Sequence, residues 1–185
     1  MKYLLFTAMA LIGISTAQAQ QTTVWAGYGQ DHVSSPRSFQ INLYETGVQH
    51  RFKSGFTLGA WTQEGMPNIN VPNVNLTAAQ VGYSQQINIF TPYATIGYGL
   101  RTRNSSTDNF YQAVVGSRAT ISQKWYADAQ FRYRNSNEIN QFHTNRYQGG
   151  IGYNVTRNVS VQANYAEIYG DARSQQYSGF LMYRF

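Results

Sequence analysis

Five arginines carry the chemistry most worth locating in this chain. Arg101 and Arg103 stand two residues apart, as do Arg132 and Arg134, and Arg146 follows on the next extended segment. Spacing of i, i+2 places both members of a pair on one face of a β-strand. Guanidinium groups held together in this way suit phosphate and carboxylate oxygens, which they meet with paired N–H donors. Arg118 and Asp128 form a second set. The turn Ser122-Gln123-Lys124 pairs Ile121 with Trp125 and brings Arg118 opposite Asp128. Opposed residues in an antiparallel pair have Cβ atoms ~5 Å apart, so an ion pair is expected there. The histidines are His32, His50 and His143. His32 has Asp31, Ser34 and Ser35 beside it, the residue types of a hydrolytic triad, but a triad is defined by geometry and this spacing does not set one. No catalytic residue is assigned. There is no phosphate-binding glycine loop and no run of metal-ligand spacing, and with no cysteine a thiolate, a disulfide or a Cys-based zinc site is excluded. No cofactor or metal is expected.

The elements that must hold these groups repeat with period two. From Trp125 to Arg134 the odd positions are Trp125, Ala127, Ala129, Phe131 and Tyr133, and the even ones Tyr126, Asp128, Gln130, Arg132 and Arg134. One face is apolar and the other polar and charged, the pattern of a strand with two different surroundings. The same alternation runs through Val81–Ile89, Ala94–Arg101, Tyr111–Ile121, Arg146–Val155 and Val159–Tyr165. The first third is less regular. Phe39, Ile41 and Leu43 are in phase with one another, whereas Val48 and Phe52 fall on the other parity; a β-bulge near Glu45–Gly47 would reconcile them. The side faced by Trp61 is left open. Glycines of the polar phase (Gly82, Gly97, Gly99, Gly116, Gly150, Gly152) leave space on their wall, for a water path or as room for arginine side chains and Tyr126 from the opposite wall.

Charged residues are only 12% of the 185, against about 25% in a usual soluble domain, while aromatics reach 15% and tyrosines number 15. The mean hydropathy of −0.44 is far too polar for a bundle of membrane helices. Aromatic richness excludes a disordered chain. The N-terminus reads as a cleaved export signal: Lys2, an apolar run from Leu4 to Ile14, and the small-x-small ending Ala17-Gln18-Ala19. The run is shorter than the ~20 residues of a spanning helix. The expected organisation is a signal peptide over 1–19 and one domain over 20–185. Export argues against nucleic acid as a partner despite the net charge of +6. The fold class is then all-β: a closed, antiparallel, up-and-down transmembrane barrel of ten strands, with eight as the alternative. Short connections (Lys53–Gly55, Phe90–Pro92, Ser122–Lys124, Thr156–Asn158) alternate with longer ones (Asp31–Arg37, Gly65–Asn75, Asn104–Asn109, Ser136–Phe142, Gly170–Ser174), which predicts periplasmic turns, external loops and both chain ends in the periplasm. Outward Trp125, Tyr153, Tyr183 and Phe185 would form one aromatic girdle, and Tyr111, Tyr133, Tyr147 and Tyr177 the other.

The chain closes on Tyr177, Gly179, Leu181, Tyr183 and Phe185 at alternate positions. A final phenylalanine after alternating hydrophobics resembles the closing strand of small bacterial outer-membrane β-barrels, porin-like or like the membrane domain of outer-membrane protein A. The resemblance implies an outer-membrane location, contact with lipid and lipopolysaccharide, and delivery by the barrel-assembly machinery, which reads Tyr183 and Phe185 in that family. Within a barrel, Arg101, Arg103, Arg132, Arg134 and Arg146 face the lumen near its external mouth, and Arg118–Asp128 lies toward its periplasmic floor. The expected function is a narrow channel with an anion-favouring mouth for small anionic solutes, or a structural barrel. The alternatives are an adhesin acting through its loops and, third, a lipid-modifying enzyme.

Overall fold

The computed structural model describes residues 19–35, 38–70, 72–136 and 142–185. The chain runs through ten strands: β1 (Ala19–Ser35), β2 (Phe39–Phe52), β3 (Phe56–Pro67), β4 (Val74–Ser84), β5 (Phe90–Arg103), β6 (Ser106–Thr120), β7 (Trp125–Asn135), β8 (His143–Asn154), β9 (Val159–Gly170) and β10 (Arg173–Arg184). Each pairs antiparallel with the next, and β1 pairs with β10, so the sheet closes. Ten strands, not eight, form the barrel. Closure follows from the apolar outer wall: in hydrocarbon an unpaired backbone group costs several kcal/mol, and a closed sheet has no edge. Of the predicted signal segment, residues 1–18 lie outside the described residues, and Ala19 opens β1.

Alternation sets the two walls. On β7 the even residues are turned inward, with Tyr126, Asp128 and Arg134 buried, while Trp125 and Ala129 are exposed. Outward aromatics meet their neighbours along the wall: Trp125 and Tyr153 at 4.8 Å, Tyr183 and Phe185 at 4.8 Å, Tyr111 and Tyr133 at 6.2 Å, Tyr165 and Tyr177 at 5.2 Å between ring centroids. Such tilted or edge-on pairs add about 0.5–1.5 kcal/mol beyond their area.

Three local expectations are corrected. There is no bulge at Glu45–Gly47: β2 keeps register with β1 from Phe39 to Arg51 and with β3 from Ile41 to Arg51. Phe39, Ile41 and Leu43 therefore face inward with Glu45, and Val48 and Phe52 lie on the outward parity with Val24. The parity conflict vanishes because the barrel interior is itself apolar at that height. The second correction is to loop length. Strand β6 begins at Ser106, so Asn104-Ser105 is a two-residue turn, with φ of 50° and 64°. Positive φ at both positions matches the twist of a tight hairpin, and asparagine tolerates it well. The β9–β10 connection likewise shrinks to Asp171-Ala172, seated by Gly170 at φ 144°; a Cβ there would strike the His143 carbonyl. Finally, Phe90–Pro92 belongs to β5, and the β4–β5 turn is 85–89, where Ile87 N–H donates to Phe90 O at 2.7 Å. Turns 53–55, 85–89, 121–124 and 155–158 share one end of the barrel with both termini (the terminal end); the other connections share the loop end.

Candidate functional site

Two storeys of inward side chains fill the barrel. The upper one, toward the loop end, is apolar. Trp61 of β3, Leu76 and Ala78 of β4, Phe110 of β6 and Phe142 before β8 form a buried cluster, with Trp25 and Val74 packed against it. Ring centroids lie 6.3 Å apart for Trp61–Phe110 and 5.9 Å for Phe110–Phe142. Phe110 is only 1% exposed.

Two of the predicted arginines belong to this plug. The Arg134 guanidinium lies 5.2 Å from the Trp61 ring centre and 4.9 Å from that of Phe110. It donates from Nη2 to Gln112 Oε1 at 3.3 Å, and Gln112 donates on to Gln80 at 3.3 Å. Arg101 stacks on Phe142 at 4.6 Å and stands opposite Asp108 in the β5–β6 ladder. Cation–π contacts of this kind are each worth about 0.5–2 kcal/mol, more as water is excluded. Arg103 is exposed at the rim, opposite Ser106. The five arginines are thus not one ring at the mouth but are spread from the rim to mid-barrel.

Below the plug is a polar cavity of about 340 Å³, lined among others by Glu45, Trp61, Gln130, Arg132, Arg146 and Gln148 at its apex and by Arg51, Tyr93, Arg118 and Arg184 toward the terminal end. Arg132 and Arg146 oppose each other on β7 and β8, with Gln130 and Gln148 opposed on the rung below. Near the floor, Arg118 Nε stands 3.6 Å from Asp128 Oδ2, and its guanidinium lies 4.4 Å above the Tyr126 ring centre. Tyr93 donates its hydroxyl to Asp128 Oδ1 at 3.1 Å. Arg184 donates to Asn154 Oδ1 and Ser160 Oγ, both at 3.2 Å. Of the two uses open to the polar-phase glycines, room for side chains is the one seen: the Tyr126 ring fills the space beside Gly152, the Tyr93 ring that beside Gly116, and the Phe110 ring that beside Gly99.

Sequence reasoning missed the plug, although parity held the signal. Trp25 alternates against Val24 and Ala26, and Phe110 precedes outward Tyr111. The histidines are dispersed. His32 is exposed with its ring 6.2 Å from Tyr177, on the face opposite Asp31. His50 bonds Thr22 at 2.9 Å, and His143 lies near Asn145 and Tyr133. No group of three His, Cys, Asp or Glu side chains among the described residues is placed to hold a metal.

No protein-family model matches the sequence, and no curated protein does. Solved structures do match the fold. An outer membrane channel from Pseudomonas putida F1 aligns over 92% of this chain and 97% of its own, with 8% identity and a TM-score of 0.58. The beta domain of the Bordetella autotransporter BrkA covers 90% and 100%, with 9% identity and a TM-score of 0.57. The KdgM porin in complex with disordered oligogalacturonate covers 88% and 99%, with 13% identity and a TM-score of 0.52. With its apolar outer wall, its aromatic girdles and a lumen divided between an apolar plug and a polar cavity, this chain has the fold of the bacterial outer-membrane β-barrels, built with ten strands.

Proposed function

We propose that this protein is exported by a signal peptide over 1–19, resides in the bacterial outer membrane, and forms a narrow anion-favouring passage held shut toward its loop end by its aromatic plug. The reading places the terminal end in the periplasm and the rim around Arg103 outside, against lipopolysaccharide, with Tyr183 and Phe185 read by the assembly machinery. One observation carries it. Arg51, Arg101, Arg103, Arg118, Arg132, Arg134, Arg146 and Arg184 lie on the inward face, against Asp31, Glu45, Asp108 and Asp128 alone among the described residues. Such an excess gives the lumen a positive potential, which concentrates anions and repels cations as charged rings do in anion pores. Two-residue turns at Asn104-Ser105 and Asp171-Ala172 disfavour the adhesin reading, since they leave little to project. Asp31 and His32, on opposite faces, form no catalytic pair, so no reaction is assigned.

The test is conductance of the refolded chain in a planar bilayer under a salt gradient. Openings with an anion-favouring reversal potential, reduced in Arg132→Gln/Arg134→Gln, support the passage. Cation preference, or silence from a demonstrably folded barrel in both wild type and plug variants, overturns it. Silence throughout would favour a structural barrel, for which the packed Trp61–Phe110–Phe142 layer is the supporting feature.

A further inference from the structure

We infer that Arg132 and Arg146 build a discrete oxyanion-binding site at the apex of the cavity below the plug, taking the phosphate or carboxylate group of a small solute that arrives from the terminal end. The inference rests on the anion-favouring reading of the lumen and makes it specific.

Two arginines directly opposed on neighbouring strands repel, and an opposed like-charged pair lowers sheet stability. Partners elsewhere usually compensate such a pair. Here Arg146 is 4% exposed, and the Nε atoms of Arg132 and Arg146 are buried with no hydrogen-bond partner. Among the described residues, neither arginine has a carboxylate within ion-pairing distance; Arg118–Asp128 is the pair that forms. Glu45 and Asp31 attract both guanidinium groups only at longer range, and the Glu45 oxygens are already used: Oε1 accepts from Trp25 Nε1 at 3.0 Å and Oε2 from Gln63 Nε2 at 3.4 Å. Asp31 lies on the inward face above, outside the cavity lining.

A buried Nε–H without an acceptor is costly, and an oxyanion reduces that cost because its oxygens accept several N–H donors at once. Gln130 and Gln148, opposed on the rung below, add amide groups for the hydroxyls or remaining oxygens of the solute. The cavity of about 340 Å³ is at the small end of ligand sites, which run from ~300 to ~1,000 Å³. The plug closes it above, where Arg134 is committed to Trp61 and Phe110. The opening is therefore below, past Arg118 and Arg184.

The experiment follows thermal unfolding of the full barrel, refolded in detergent, with sodium phosphate titrated against sodium chloride at equal ionic strength. The midpoint should rise saturably with phosphate, by roughly 4 °C well above its dissociation constant, and not with chloride. Arg132→Gln and Arg146→Gln should each abolish that rise while raising the midpoint of the unliganded barrel, since each removes one of two opposed charges. Arg146→Lys, which keeps charge and folding, should retain a weakened response. The rim variant Arg103→Gln should respond as wild type. No saturable rise, or a rise that survives Arg132→Gln/Arg146→Gln, overturns the site. A silent bilayer with the phosphate response intact removes the passage and leaves the site; anion-selective conductance without a phosphate response does the reverse.

Discussion

Arg118 Nε and Asp128 Oδ2 stand 3.6 Å apart at the directly opposed positions of the β6–β7 ladder. Asp128 is the buried partner, and Arg118 is part-exposed above the Tyr126 ring. The pair ties the floor of the lumen to Tyr93, whose hydroxyl donates to the same carboxylate. Asp128→Ala should destabilise the barrel by about 1 kcal/mol, because it removes one acceptor of Tyr93, which keeps Gln130 Oε1 at 3.1 Å, and frees the part-exposed Arg118 to reach water. Arg118→Ala should cost at least as much, since it leaves the buried Asp128 carboxylate without its counter-charge. Thermal unfolding of the two single variants and the double variant, read as a cycle, checks this; additive effects would show that the contact carries no coupling.

The plug should both stabilise and obstruct. Phe110→Ala removes a side chain that is 1% exposed and that seats both Trp61 and Phe142, so a loss of about 3–5 kcal/mol is expected. The same variant should raise single-channel conductance above wild type, because the Arg134 stack loses one wall. Unchanged conductance from a folded Phe110→Ala barrel would place the constriction elsewhere.

Two glycines of β8, three residues apart and on opposite walls, should answer oppositely to one added methyl. At Gly152 the new Cβ would collide with the Tyr126 ring, which is held by its bond to Gln162 at 3.2 Å. Gly152→Ala should cost about 1–3 kcal/mol by overpacking. At Gly149, on the outward wall, nothing lies within 4 Å of the Cβ site, so Gly149→Ala should be neutral or stabilising by about 0.4–1 kcal/mol through the unfolded chain. Denaturation midpoints of the two variants decide it.

Cysteine placed singly along β7 should report the two walls. At positions 127, 129 and 131 only lipid-soluble reagents should react, and at 128 and 130 water-soluble reagents should reach the cavity. Aqueous labelling of both sets in vesicles would contradict a barrel in the bilayer.

How far the chain could be read depended on the range of each interaction. Period two is a local property: a residue's neighbours along the strand decide its wall. Hence the strand count, the two faces of β7 and the inward phase of Arg101, Arg132, Arg134 and Arg146 were all legible. So was Arg118 opposite Asp128, because the tight turn at 121–124 leaves one register. The Arg132–Arg146 opposition was not, since the connection at 136–142 admits several registers and only pairing along the whole hairpin selects one. Trp61, Phe110 and Phe142 come from widely separated elements and meet across the lumen. Their meeting depends on strand number, tilt and stagger once the sheet has closed, none of which a local pattern contains. The apolar run Phe39–Leu43 was misphased for the same reason. Alternation determines which way a side chain points, but whether that direction holds water, lipid or a plug is decided by the residues that arrive from the opposite wall.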